Sequence, residues 1–269
     1  MRDWDDAYAN SAHVAGSDKL PALWAARAAA YRAGLTAFRP DIAYGAAERQ
    51  RLDLILPDGE PKGLVVFVHG GYWLRFDKSF WTDLAEGARH HGFAVALPSY
   101  TLAPAARISE ITAEIAAAIA AAAAQVAGPI RLAGHSAGGH LVTRMLCDDS
   151  PLEPSVCDRI AATLSISGLH DLRPLLKTTM NATLGMTMAE ATRESAAQHV
   201  PRGGSPVTTW VGGDERPEFI RQSELLANVW TGFDVPTRLV VEPGHNHFSV
   251  VDGLKDPSSQ ITASLIGSP

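Results

Sequence analysis

Ile130-Arg131-Leu132-Ala133-Gly134-His135-Ser136-Ala137-Gly138-Gly139-His140 is the stretch from which the rest of the chain can be read. It sets a serine in the pattern Gly-x-Ser-x-Gly between a strand-like run and a helix-like run, the arrangement of a nucleophile elbow. Holding a serine hydroxyl clear of a sheet needs a turn so sharp that side chains two residues to either side would collide. Gly134 and Gly138 remove those side chains. With 23 glycines in 269 residues the pattern has little specificity alone, so neighbouring stretches have to decide.

Upstream, Leu64 to Val68 is an unbroken apolar run of the kind a strand buried on both faces requires, and it leads directly into His69-Gly70-Gly71-Tyr72-Trp73. Acyl transfer puts negative charge on the former carbonyl oxygen, and backbone N–H groups stabilise it best where glycines let the main chain approach closely. Gly71 and Tyr72 are the expected oxyanion donors, with Ala137 after the nucleophile as a third. Tyr72 and Trp73, beside this loop, are the expected substrate-binding residues, flanking an aromatic leaving group.

A serine nucleophile needs a base, and the base needs an orienting acid; after an elbow of this type they follow in the order Ser, acid, His. Val207 to Val211 reads as a short strand ending in Gly212-Gly213-Asp214-Glu215. Asp214, directly after the turn glycines, is the expected acid, with Glu215 as its rival. Arg238 to Val241 reads as the next strand and ends in Glu242-Pro243-Gly244-His245-Asn246-His247-Phe248. His247 is preferred to His245 as base because it immediately precedes the apolar residues that open the final helix.

Together these motifs resemble the α/β-hydrolases, close to the serine-dependent arylformamidases (kynurenine formamidases) and more distantly the hormone-sensitive-lipase-type esterases. The matching pieces are HGGYW at 69–73, SYTLAP at 99–104, GHSAGGHL at 134–141, SGLHDLRPL at 167–175, GDERPEFIRQS at 213–223 and HF at 247–248. The resemblance implies an α/β-hydrolase fold: a mostly parallel central sheet of about eight strands with helices on both faces. It also implies Ser136 as nucleophile, Asp214 as orienting acid, His247 as base and the Gly71 region as oxyanion hole. Tyr72 stands where the lipase-like esterases carry a third glycine, which would tighten the acyl side or shape it with a ring. The implied substrate is a small molecule, an aryl formamide such as N-formylkynurenine. A broad short-chain carboxylesterase and a non-catalytic hydrolase-fold binding module are the alternatives.

Length and composition agree with this reading. At 269 residues, net charge -6 and 46% hydrophobic content, the chain suits one large α/β domain spanning residues 1–269. The absence of lysine or arginine runs argues against nucleic acid or an anionic membrane surface as partner. Cys147 and Cys157 read as reduced thiols, and Met1 to Asp6 lacks the apolar core of a signal peptide, so a cytoplasmic protein is expected. The alanine-rich segment Ile111 to Val126 is interrupted by Glu114 and Gln125 and reads as a helix packed on the sheet, not a membrane span.

Elsewhere strands alternate with helices. Strands are expected at Asp41–Tyr44, Arg51–Leu56, Phe93–Leu97 and Ala161–Ile166, and a helix at about Lys78–His90. Two pieces fall outside the alternation. Residues 5–35 read as helical, with Leu20, Leu23, Trp24, Ala28 and Tyr31 on one face, and residues 172–200 as a cap-like insertion. Each would cover the carboxyl edge of the sheet and shape a pocket, the insertion more than the N-terminal piece. His69, His135, His140 and His170 invite a metal, but His69 and His135 are bracketed by motif glycines and suit hydrogen bonding. No HExxH, paired CxxC or nucleotide-binding glycine loop appears, so neither metal nor cofactor is expected.

Overall fold

Runs such as Leu64–Val68 and Ala94–Pro98 carry no polar face, so they can be satisfied only in a sheet covered on both sides. In the computed structural model, which describes residues 2–267, every residue of both runs is buried. Eight strands form one sheet: β1 (Phe38–Ala43), β2 (Arg51–Ile55), β3 (Leu64–Val68), β4 (Ala94–Pro98), β5 (Ile130–His135), β6 (Ile160–Ile166), β7 (Val207–Gly212) and β8 (Thr237–Glu242). Their order is β1-β2-β4-β3-β5-β6-β7-β8. The β1–β2 and β2–β4 pairs are antiparallel and all others parallel.

Apolar residues fill both faces. One face packs against helices Ile108–Gln125, Ala137–Arg144 and Pro217–Thr231, and the other against Leu20–Ala33, Glu86–His90 and Gln260–Ile266. Helix Ile108–Gln125 is long and apolar enough to cross a membrane by length and composition, yet Ile111, Ile115, Ile119 and Ala122 are buried in the first of these cores.

Three expectations change in detail. The segment 78–90 is not one helix: 3₁₀ turns at Lys78–Phe80 and Thr82–Ala85 precede helix Glu86–His90, because Trp81 between them adopts a non-helical φ of −127°. The N-terminal piece is continuous helix only over Leu20–Ala33, where Trp24 and Ala28 are buried and Leu23 is exposed. Before it, short turns are separated at Gly16, whose φ of +74° cannot continue a helix. Residues 172–200 fold as four short helical turns that bury Leu175, Leu184 and Met186 in the main core.

The sheet order positions the site. From β3 the chain moves outward to β4, whereas β5 lies on the opposite side of β3 and leads to β6, β7 and β8. The loops after the adjacent strands β3 and β5 therefore diverge and leave a crevice at their carboxyl ends, where open α/β sheets bind ligands. Gly70–Tyr72 follow β3 and Ser136 follows β5, so both line this crevice.

The fit is close. A Cβ on Gly138 would lie 1.9 Å from the Val68 carbonyl oxygen, and one on Gly134 would lie 2.2 Å from the Gly138 carbonyl oxygen. Gly138→Ala is expected to cost about 3 kcal/mol or more and lower Tm by roughly 6 °C or more. Gly204→Ala, where a Cβ meets nothing within 4 Å, is expected to stay within about 2 °C of the parent. Thermal denaturation of the two variants checks both.

Candidate active site

Ser136 adopts φ 57°, ψ −118°, a conformation L-residues rarely hold, costing about 1–3 kcal/mol. The surroundings hold it there. Its N–H donates to Ile166 O at 2.8 Å on β6, and its carbonyl accepts from His140 N at 3.2 Å as helix Ala137–Arg144 begins. The loop after β3 is turned as tightly, with positive φ at Gly71 (111°), Tyr72 (55°) and Trp73 (58°). The Leu74 and Arg75 N–H groups both close this turn onto Gly71 O. The N–H groups of Gly71, Tyr72 and Ala137 donate to no protein acceptor among the described residues.

His247 is buried and its Nδ1 lies 2.7 Å from Glu215 Oε2. With Nδ1–H donating to that carboxylate, Nε2 is left as an acceptor. Three further contacts hold the ring. Phe219 lies 4.5 Å away between centroids and His135 4.7 Å, while His135 Nε2–H donates to the His247 carbonyl at 2.8 Å. His245 points elsewhere, half-exposed and 3.8 Å from Glu242. His247 and Ser136 line one cavity of about 760 Å³. Ser136 Oγ has no hydrogen-bond partner among the described residues.

Asp214 is not at the site. β7 ends at Gly212, and Gly213–Asp214 form the turn, so the Asp214 side chain projects into solvent while its N–H donates to His245 O at 3.0 Å. The next residue comes back over the strand end. The Glu215 carboxylate is fully buried and accepts from Gly212 N (2.8 Å) and Ser167 Oγ (2.5 Å) as well as His247. Three donors on one carboxylate fix its orientation. The longer side chain of glutamate spans the distance that Asp214, one residue earlier, faces away from.

Trp73 does not line the cavity. The positive φ at Trp73 turns its ring down into the core, fully buried and edge-on to His140 at 5.2 Å. Tyr72 does line the cavity, and its hydroxyl donates to Tyr8 O at 2.5 Å and accepts from Asn10 Nδ2 at 3.3 Å. The aromatic wall comes instead from Trp24, Phe76, Trp81 and Phe248, packed on one another at 4.9 to 5.9 Å. Trp24, on the inner face of its helix, and Phe248, in the HF pair at 247–248, carried a sequence signal; Phe76 and Trp81 did not, and the four meet through the fold. The N-terminal segment contributes ten lining residues between Asp5 and Trp24, whereas the 172–200 piece contributes Thr179 and Met180.

The histidines that invited a metal are each tied to protein atoms. His69 Nδ1 donates to Gly70 O (2.8 Å), His140 Nε2 to Glu194 O (2.7 Å), and His170 lies between Thr143 Oγ1 and Ser165 Oγ. Burial lowers their pKa values, to about 4 for His69 and about 3 for His140 and His170, and takes His135 well below the ordinary value. Asp148, Asp149 and His199 do bring ligand atoms within 4.8 Å of one another, but on the surface, with Asp149 already paired to Arg144. Cys147 and Cys157 are both free thiols.

Comparison with known proteins agrees with this architecture. Residues 65–250 match a family profile described as the alpha/beta hydrolase fold. The chain is similar to the kynurenine formamidase of Danio rerio, 30% identical over 84% of this chain and 80% of the fish protein. That of Salmo salar is 28% identical over 87% and 82%. A crystal structure from Silicibacter sp. TM1040, described as a candidate thioesterase, is 46% identical with TM-score 0.95, covering 99% of this chain and 100% of that one. A phosphonate-inhibited esterase B of Lactobacillus rhamnosis shares the fold, with TM-score 0.70 at 19% identity over 92% and 91% of the two chains.

Two outcomes follow from the geometry. Glu215→Gln is expected to lower kcat by roughly 10³–10⁴-fold while Asp214→Asn changes it by less than about threefold, as measured with any substrate the enzyme turns over. A larger loss in Asp214→Asn would reverse the assignment. The second concerns pH. Four histidines are neutral in the fold at pH values where an unfolded histidine, with pKa about 6.5, is protonated, so the unfolded state binds more protons below that value. Stability is therefore complete above about pH 7 and falls toward pH 4, by about 1.4 kcal/mol per unit for each histidine. Urea midpoints between pH 8 and 4.5 test this, and a flat profile from pH 7 down would contradict it.

Proposed function

The chain belongs to the α/β-hydrolase fold family, and we propose that it is a serine hydrolase of the kynurenine formamidase kind, cleaving an aryl formamide through a formyl-serine intermediate. What carries the proposal is the opening of Ser136 and a Glu215-braced His247 onto one cavity walled by aromatic rings. The kynurenine formamidase relatives support the choice of substrate class.

In this mechanism His247 Nε2 takes the Ser136 proton as the oxygen attacks the formyl carbon. Glu215 keeps the imidazole in the Nδ1–H tautomer and offsets its charge once it is protonated. The N–H groups of Gly71, Tyr72 and Ala137 receive the negative charge on the former carbonyl oxygen, each such donor being worth about 3 kcal/mol of barrier. Collapse breaks the C–N bond, and His247 returns the proton to the departing aryl amine. Water then repeats the cycle, releasing formate and restoring Ser136. The formyl carbon carries only a hydrogen besides the carbonyl oxygen and the nitrogen, so the aromatic wall of Trp24, Phe76, Trp81 and Phe248 serves the leaving group, whose ring it can stack.

A second reading is cleavage of short-chain esters or thioesters with the same groups, favoured by the 46% identity to the Silicibacter protein. Steady-state kinetics with N-formylkynurenine, p-nitrophenyl acetate and S-phenyl thioacetate separate the two. We expect kcat/KM for the formamide to exceed the others by about tenfold or more, and Ser136→Ala to lose roughly 10⁴-fold or more on every substrate turned over. Preference for the thioester or ester, also lost in the variant, would move the protein to the second reading.

A further inference from the structure

Tyr72 is held in a backbone conformation that its residue type does not favour. Its φ of 55° follows 111° at Gly71 and precedes 58° at Trp73, and in this region a Cβ crowds the following carbonyl oxygen. A residue stays there only where its surroundings over-determine it. Trp73 is anchored by its ring, fully buried in the core. Tyr72 is anchored from the other side, by the N-terminal segment. Its hydroxyl donates to Tyr8 O at 2.5 Å and accepts from Asn10 Nδ2 at 3.3 Å, and Asn10 N–H donates to Tyr8 O at 3.0 Å, so the three residues close one ring of hydrogen bonds. Asn10 is buried, and the bond to Tyr72 is the one side-chain hydrogen bond it forms among the described residues. A buried amide is costly without a partner, so this bond accounts for an asparagine at that position.

We infer that Tyr8 and Asn10 are positioning residues for the reaction: by gripping the Tyr72 phenol they keep residues 71–73 turned so that the Gly71 and Tyr72 N–H groups face the substrate carbonyl. The inference rests on the hydrolase reading above, in which those N–H groups receive the negative charge. The grip is itself rigid. Tyr8 is buried, and its hydroxyl donates to Glu218 Oε1 at 2.9 Å and accepts from Gln222 Nε2 at 3.3 Å. Glu218 and Gln222 lie fully buried one turn apart on helix Pro217–Thr231, and Glu218 is also ion-paired with Arg2 at 2.9 Å and Arg221 at 2.6 Å. Phe219, on the same turn, lies 6.0 Å from the Tyr8 ring and 4.5 Å from that of His247 between centroids. One turn of one helix therefore bears on the His247 ring directly and on the loop after β3 through Tyr8 and Tyr72. Without the phenol link, residue 72 relaxes toward negative φ and turns its N–H away from the point where charge develops. That loss falls on the transition state and leaves substrate binding alone.

The test pairs steady-state kinetics of the full chain, on whichever of the three compounds above it turns over fastest, with inhibition by phenyl trifluoromethyl ketone. Ser136 Oγ adds to the ketone carbon as its proton passes to His247, leaving an oxyanion that needs the same N–H groups. Tyr72→Phe is expected to lower kcat about tenfold, a part of the roughly 10²–10³-fold that removal of a whole donor costs, with KM within about threefold. Its Ki for the ketone is expected to rise by the same factor as kcat falls. Asn10→Ala should lose less, and the double variant no more than Tyr72→Phe alone, because both cut one link. Tyr72→Gly is expected to turn over about fivefold or more faster than Tyr72→Ala, since glycine holds a positive φ without an anchor. Unchanged kcat in Tyr72→Phe, or a rise in KM at constant kcat, overturns the inference, and so do equal rates for the glycine and alanine variants. Should the two smaller side chains unfold the chain, as read by circular dichroism, Tyr72→Phe and Asn10→Ala decide it. A wild type that hydrolyses none of the three compounds overturns the hydrolase reading itself, and the inference with it.

Discussion

The site rests on one steric constraint, the approach of the Gly138 backbone to the Val68 carbonyl oxygen. Val68 is the last residue of β3 and Gly138 lies in the first turn of the helix after β5. Their near contact draws that helix against the neighbouring strand and holds the turn at Ser136 in its unfavourable conformation. Gly70 is pressed into the same space, for a Cβ there would lie 2.9 Å from the Ser136 Cβ. The loop with free N–H groups and the serine are therefore neighbours because no side chain separates two backbones. Sheet packing supplies the energy that keeps Ser136 strained, and the strain fixes its orientation.

A second layer governs charge. His247 is the one imidazole of the cavity with a carboxylate partner; His135, against its ring, keeps both proton and neutrality by donating to a backbone carbonyl. Burial holds the His135 ring uncharged, so it places no second charge against the ring braced by Glu215.

Local sterics made the turn at Ser136 and the loop after β3 legible in the sequence, because Gly134 and Gly71 each meet a backbone oxygen four residues on, while Gly138 and Gly70 are demanded by contacts between the segments that follow β3 and β5. The sheet was legible for a similar reason: continuous apolar runs have few other uses. The carboxylate that meets His247 was missed by one position. Whether residue 214 or 215 returns over the end of β7 depends on the course of a two-residue turn, and both side chains have the right chemistry. Trp73 was missed because consecutive positive φ values at 71, 72 and 73 reverse the face that an extended loop would present. The weight given to residues 172–200 over the N-terminal piece was also reversed. Apolar residues in an insertion look the same whether they line a pocket or fill a core, and Leu175, Leu184 and Met186 fill a core.

The wall over the crevice joins the two ends of the chain. Tyr8 donates through its hydroxyl to Glu218 at 2.9 Å, 210 residues later, and Asp6 is ion-paired with Arg216. On a ribosome the N-terminal segment emerges first, with none of these partners yet made. It has to wait, unpaired, until helix Pro217–Thr231 has been synthesised and packed. Loops this long close slowly relative to local structure. β3, β5 and the turn at Ser136 all precede that helix in the chain, whereas the roof over them needs residues on both sides of it. Enclosure of the site therefore depends on the docking of residues 5–24 against segments that follow far later in the chain.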